Sequence, residues 1–148
     1  MKAEKILFPT DFSHTGDAAL EMATALARDS GALLLIAHVQ EPAEAYGGGA
    51  FYGIQEPLTE QLRKMLHEVR PTDPAVVFEH RLIAGDPGAA LARLADEENV
   101  DLIVMATHGR TGFRRILMGS VAEAVVRRAN CPVLTWKQAV AETVPPAK

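Results

Sequence analysis

Three apolar runs in this chain show no polar alternation: Ile6 to Phe8, Leu33 to Val39 with His38 as its one polar member, and Leu102 to Met105. A strand with one wet face alternates apolar and polar residues, so runs of this kind belong to strands covered on both sides, as parallel sheets require. Between them, apolar residues return at helical spacing. Ala19, Met22, Ala23 and Leu26 form one such face, predicting a helix from Thr15 to Arg28 that stops at Gly31. Leu58, Leu62, Met65, Leu66 and Val69 form a second, from Glu56 to Val69, broken afterwards by Pro71 and Pro74. Val76-Val77-Phe78 leads a further strand to Ile83. Gly85-Asp86-Pro87 then offers an N-cap and a first-turn proline for a third helix ending near Glu98. Ser120 to Ala129 reads as the last helix and Cys131 to Trp136 as the last strand. Strands and helices in strict alternation predict a single α/β domain, residues 1–137, built on a doubly wound five-stranded parallel sheet with helices on both faces. Gln40 to Gln55, with Gly47 to Gly49 and Gly53, reads as a long flexible loop whose Tyr46, Phe51 and Tyr52 pack on the body or on a ligand. Residues 138–148 read as a disordered tail.

Composition removes several kinds of function. A formal charge of -4 gives no global field for nucleic acid or an anionic membrane, so any anion site must be local. No segment approaches the roughly 18 apolar residues of a membrane span, and the short run after Met1 to Lys5 is too brief for a signal-peptide core. Cys131 has no partner within the chain, which excludes an intrachain disulfide and suits the reducing cytoplasm. The five histidines, at 14, 38, 67, 80 and 108, show no metal-ligand spacing. His38 reads as a satisfied core histidine. No nucleophile with a base and no carboxylate pair stands out.

In open α/β sheets, ligands bind beyond the carboxyl ends of the strands where the winding reverses. Two segments lie just after strands and carry suitable chemistry. Pro9-Thr10-Asp11-Phe12-Ser13 follows the first strand, where Asp11 is placed either to accept from an adenine amino group or ribose hydroxyl, or to cap the first helix. After the fourth strand comes Ala106-Thr107-His108-Gly109-Arg110-Thr111-Gly112, leading to Gly119-Ser120 and the last helix. Its glycines permit close backbone approach, and a helix start offers amides to a phosphate. The alternative is an ordinary strand-to-helix connection with Ser120 as its cap. Arg110, Arg114 and Arg115 either screen phosphates or form a solvated face, and His108 either meets a phosphate or lines the loop. Neither a Walker A lysine motif nor the dinucleotide glycine fingerprint is present.

These segments, together with His38-Val39, Gly119-Ser120-Val121-Ala122-Glu123 and Cys131-Pro132-Val133-Leu134, resemble the universal stress protein family from about Lys5 to Trp136. The resemblance implies strand order 3-2-1-4-5 and a site for ATP, ADP or AMP, with Mg2+ as a possible companion. Nucleotide-binding members carry G-2x-G-9x-G-(S/T); here Gly109, nine residues and Gly119-Ser120 match its second half, and Ala106 replaces the first glycine. By similarity Asp11 and the Val39 backbone hold the adenine, and Pro9 and Thr10 line its pocket. Met105, Ala106, His108 and Gly109 flank ribose and phosphates, and Gly119, Ser120 and Val121 close the phosphate end. The resemblance further implies a homodimer through Val133, Leu134 and Trp136 of the last strand. Its expected role is that of a nucleotide-binding module in stress response or signalling; a nucleotide-free interaction protein and a slow ATPase are the alternatives.

Overall fold

In the computed structural model, which describes residues 2–42, 55–107 and 118–137, five strands pair in parallel: β1 (Lys5–Pro9), β2 (Leu33–Gln40), β3 (Phe78–Ala84), β4 (Leu102–Ala106) and β5 (Val133–Trp136). Their order is β3-β2-β1-β4-β5, with Pro9 opposite Ala37 and Leu7 opposite both Leu35 and Ile103. The helices are α1 (Asp17–Ser30), α2 (Gln55–Glu68), α3 (Pro87–Glu97) and α4 (Ser120–Arg128). The predicted sheet, its order and its helical layers are all present.

The apolar runs lack alternation because each face of the sheet meets helices. Leu34 and Ile36 of β2 pack with Ile6 and Phe8 against Ala19, Ala23 and Ala27 of α1 and Leu66 of α2. Their neighbours Leu35, Ala37 and Val39 point the other way, with Leu7, Ile103 and Met105, onto Leu91 and Leu94 of α3 and Ala122 and Val125 of α4. Two helices therefore cover each face. The alanines of α1 let that helix lie close to the sheet, and Gly88 does the same between α3 and α4, where its backbone rests on Ala124.

Local signals end the elements as expected. Gly31 takes a left-handed φ of 71° and its N–H closes α1 on Ala27 and Arg28. Asp86 caps α3 by accepting from the Ala89 N–H at 3.2 Å, with Pro87 in the first turn. Three elements start two residues later than the sequence reading placed them. A 3-10 turn at His14–Gly16 precedes α1, which moves the helix start to Asp17. Val76 is taken into a turn on Asp73 and Val77 is 69% exposed, so β3 begins at Phe78. Cys131 and Pro132 precede β5, where Pro132 contributes only its carbonyl, to Ile103 N–H at 3.0 Å.

One side chain joins distant parts of the chain. The Asp101 carboxylate accepts from the Glu4 and Lys5 amides at 2.8 and 3.0 Å, fastening the start of β1 beside β4. Among the described residues no helix is long and apolar enough to cross a membrane.

Candidate functional site

From β1 the chain passes to α1 on one face, and from β4 to α4 on the other, so the exits of these adjacent strands diverge and leave a crevice between them. A cavity of about 610 Å³ occupies this place. It is lined by Pro9, Thr10 and Asp11 after β1, by Gly119, Ser120 and Val121 at the start of α4, by Val39 of β2, and by Met105 and Ala106 of β4. These expected residues, from four separate stretches of sequence, thus share one cavity. His108 and Gly109, like Gly112, Arg110, Arg114, Arg115, Tyr46, Phe51, Tyr52 and the 138–148 tail, lie outside the described residues.

Asp11 sits in a tightly bonded turn. Thr10 N–H reaches Ala37 O at 2.8 Å, and the Thr10 hydroxyl accepts from Phe12 N–H at 3.0 Å. Asp11 Oδ1 accepts from the Ser13 N–H at 2.9 Å and from its hydroxyl. Asp11 borders the cavity, and its carboxylate closes the turn onto Ser13; the helix-capping reading is not realised, since neither the 3-10 turn nor α1 starts with a side-chain cap. Phe12 holds a left-handed φ of 68°, a conformation costing a bulky residue about 1–3 kcal/mol. Its ring meets the His38 ring with centroids 4.3 Å apart. His38 is satisfied, as expected, by Thr10 O at 2.7 Å from Nδ1, but it is only partly buried and lines the cavity rather than sitting in the core.

Gly119 is the N-cap of α4 and Ser120 its first helical residue. Glycine brings no side chain to the helix start, so the first amides of α4 have no side-chain cap, and Gly119, Ser120 and Val121 line the cavity there. Gly119 N–H itself bonds Thr107 O, which ties the helix start back to the end of β4. Ala106 pairs with Trp136 within the sheet and is not among the residues of positive φ, so the backbone at this position accepts alanine without strain.

The described lining carries two carboxylates, Asp11 and Glu41, and neither lysine nor arginine. Among the described residues, what the lining offers an anion is backbone amides and the α4 dipole. No group of three or more His, Cys, Asp or Glu side chains among the described residues is arranged to hold a metal. Residues the sequence reading did not assign to the site also line the cavity: Thr107 and Ala37 beside the named positions, Pro87 and Leu91 from α3, and Leu58, Leu62 and Met65 from α2. Adjacency in sequence signals the first pair; the helical residues look in sequence like ordinary core positions.

The universal stress protein family model matches residues 2–137 of this chain. The chain belongs to the universal stress protein family. A universal stress protein of Methanocaldococcus jannaschii, MJ0531, is 34% identical, the match covering 91% of this chain and 82% of that protein. The solved structure of MJ0577 superposes with a TM-score of 0.80 at 30% identity, covering 95% of this chain and all of its counterpart. A crystal structure of a universal stress protein in complex with cAMP matches at a TM-score of 0.63 and 27% identity, over 94% of this universal stress protein chain and 100% of that one.

Proposed function

We propose that this universal stress protein binds an adenine nucleotide, AMP, ADP or ATP, in the crevice between β1 and β4, and that occupancy serves as a signal in stress response. The observation that carries the reading is one cavity lined both by a carboxylate turn at Asp11 and by the uncapped start of α4 at Gly119. The first suits hydrogen-bond donors of a base or ribose; the second suits a phosphate. Val39, Met105 and Leu91 supply apolar surface for a ring between them. A similar protein of this family was crystallised with cAMP. In this arrangement Pro9, Thr10, Asp11 and Val39 take the adenine end, Met105 and Ala106 the ribose, and Gly119, Ser120 and Val121 the phosphates; His108 and Gly109 join them from the connecting loop. With no three-ligand cluster in the described lining, any Mg2+ would arrive with the phosphates.

Calorimetric titration with AMP, ADP and ATP below millimolar concentration tests this. Heat of binding is expected for at least one of them, and Asp11→Ala should weaken it by about tenfold, or about 1.4 kcal/mol. Absence of heat with all three, joined to absence of any adenine compound in the supernatant of freshly denatured protein, would end the proposal.

The family's homodimer fits the same chain. β5 is an edge of the sheet, and Val133, Leu134 and Trp136 are all partly exposed on it, a hazard that pairing with a second copy removes. Leu134→Lys is expected to yield a monomer in sedimentation velocity, with thermal unfolding as the check on folding; an unchanged dimer would contradict this interface. The reducing cytoplasm remains the compartment proposed, since Cys131 is the single cysteine. Burial, with a smaller contribution from Asp96, pushes its thiol up and keeps it protonated.

A further inference from the structure

The turn that presents Asp11 to the crevice is held from the neighbouring strand by a side chain, not by the sheet ladder alone. The β1–β2 register ends at Pro9 opposite Ala37. Beyond it the turn is tied to β2 by Thr10 N–H to Ala37 O at 2.8 Å and by His38 Nδ1 to Thr10 O at 2.7 Å. A carbonyl only accepts, so Nδ1 carries the proton whether the ring is neutral or charged, and the bond survives either state. Two residues on, Phe12 occupies the left-handed region, which a phenylalanine adopts only where surrounding contacts hold it. The His38 ring is one of those contacts, packed 4.3 Å from the Phe12 ring at a tilt of 40°. His38 therefore grips the turn on both sides of Asp11, at Thr10 and at Phe12.

We propose that His38 is a positioning residue for the adenosine end of the ligand, setting the Thr10–Phe12 turn so that Asp11 faces the crevice. The inference rests on the nucleotide reading above and adds to it a determinant of affinity that acts through its neighbours. It accounts for a polar residue in the otherwise apolar β2 run, where a valine or leucine would serve packing equally well.

Three variants separate the two grips. His38→Leu removes donor and ring, His38→Phe keeps a ring without the donor, and His38→Asn keeps an amide donor near the Nδ1 position. Amide hydrogen exchange by NMR reads the turn at Phe12 and Ser13, whose N–H groups bond Thr10 Oγ1 and Asp11 Oδ1; Leu35 and Ile36 report on the intact core. AMP and inorganic tripolyphosphate are the titrated probes. His38→Leu and His38→Phe are expected to expose the Phe12 and Ser13 amides and weaken AMP by about tenfold, leaving core exchange and tripolyphosphate binding unchanged. His38→Asn is expected to restore AMP affinity to within about threefold of the native chain. Native exchange at Phe12 and Ser13 in His38→Leu would overturn the proposal, as would faster exchange there with unaltered AMP affinity. A native chain without AMP affinity would instead end the nucleotide reading, a result that the exchange measurements keep distinct from failure of the His38 grip.

Discussion

Gly88→Val is expected to be among the most destabilising single substitutions in this chain. A Cβ at this position would lie 2.4 Å from the Cβ of Ala124, so even one carbon forces α3 and α4 apart. The collision involves the root of a side chain on a packed helix, which has no rotamer through which to retreat. Overpacking of this kind costs about 1–3 kcal/mol or more, and in a domain of this size each kcal/mol lowers the melting temperature by roughly 2–4 °C. At the upper end of that range a fall of about 6–12 °C is expected for valine, and a smaller one for alanine. Thermal denaturation followed by circular dichroism measures it. The diagnostic variant is Gly88→Ala combined with Ala124→Gly, which moves the methyl group to the other helix and should recover most of the loss. A native-like melting temperature for Gly88→Val would show that this helix contact is not tight.

Gly119→Val should do the opposite, sparing the fold and removing the ligand. Gly119 sits at φ −67° and ψ 162°, an extended conformation that valine adopts freely, so the backbone offers no reason to unfold. Its side chain, however, would stand at the start of α4 on the cavity wall, where a phosphate must approach the amides closely. Binding of ATP is expected to fall by at least about a hundredfold, near 2.7 kcal/mol, with less than a few degrees' change in melting temperature. Calorimetry and thermal denaturation on the same preparation decide the matter. Retained ATP affinity would remove the helix start from the binding site, while leaving the Asp11 end to be judged by its own variant.

The architecture was legible because burial on both faces leaves a coarse mark on sequence. Leu33 to Val39 and Leu102 to Met105 read as interior strands, and the strands found there run one residue further, to Gln40 and Ala106. Gly31 and Asp86-Pro87 marked helix ends through conformations and hydrogen bonds that those residue types favour. Strand order was a different matter: periodicity is blind to it, and it came from the family resemblance. The edge strand was also less legible, for Val76-Val77 carries β-branched residues that serve a turn and an exposed position.

At the site, the residues directly following strands were readable because topology brings strand exits together. Contributions that depend on three-dimensional approach were not. Leu58, Leu62 and Met65 keep ordinary helical spacing, and nothing in that spacing says that part of their face borders a cavity. His38 looked like a core residue because its neighbours are core residues; its bond to Thr10 spans 28 positions and depends on the β1–β2 register. Alanine in place of the motif's first glycine is accommodated by the backbone, since Ala106 is not among the residues of positive φ.

The clasp of Asp101 on the amides of Glu4 and Lys5, 97 and 96 residues away, bears on how the molecule is born. During synthesis the first strand leaves the ribosome long before β4, and until β4 docks, one flank of that apolar strand is an open template for wrong pairing. Such distant parallel pairing is slow. A nascent or truncated chain ending before Asp101 would thus expose a sticky flank and lack half of the crevice, so a ligand held at both Asp11 and Gly119 would recognise finished molecules alone and favour them by mass action.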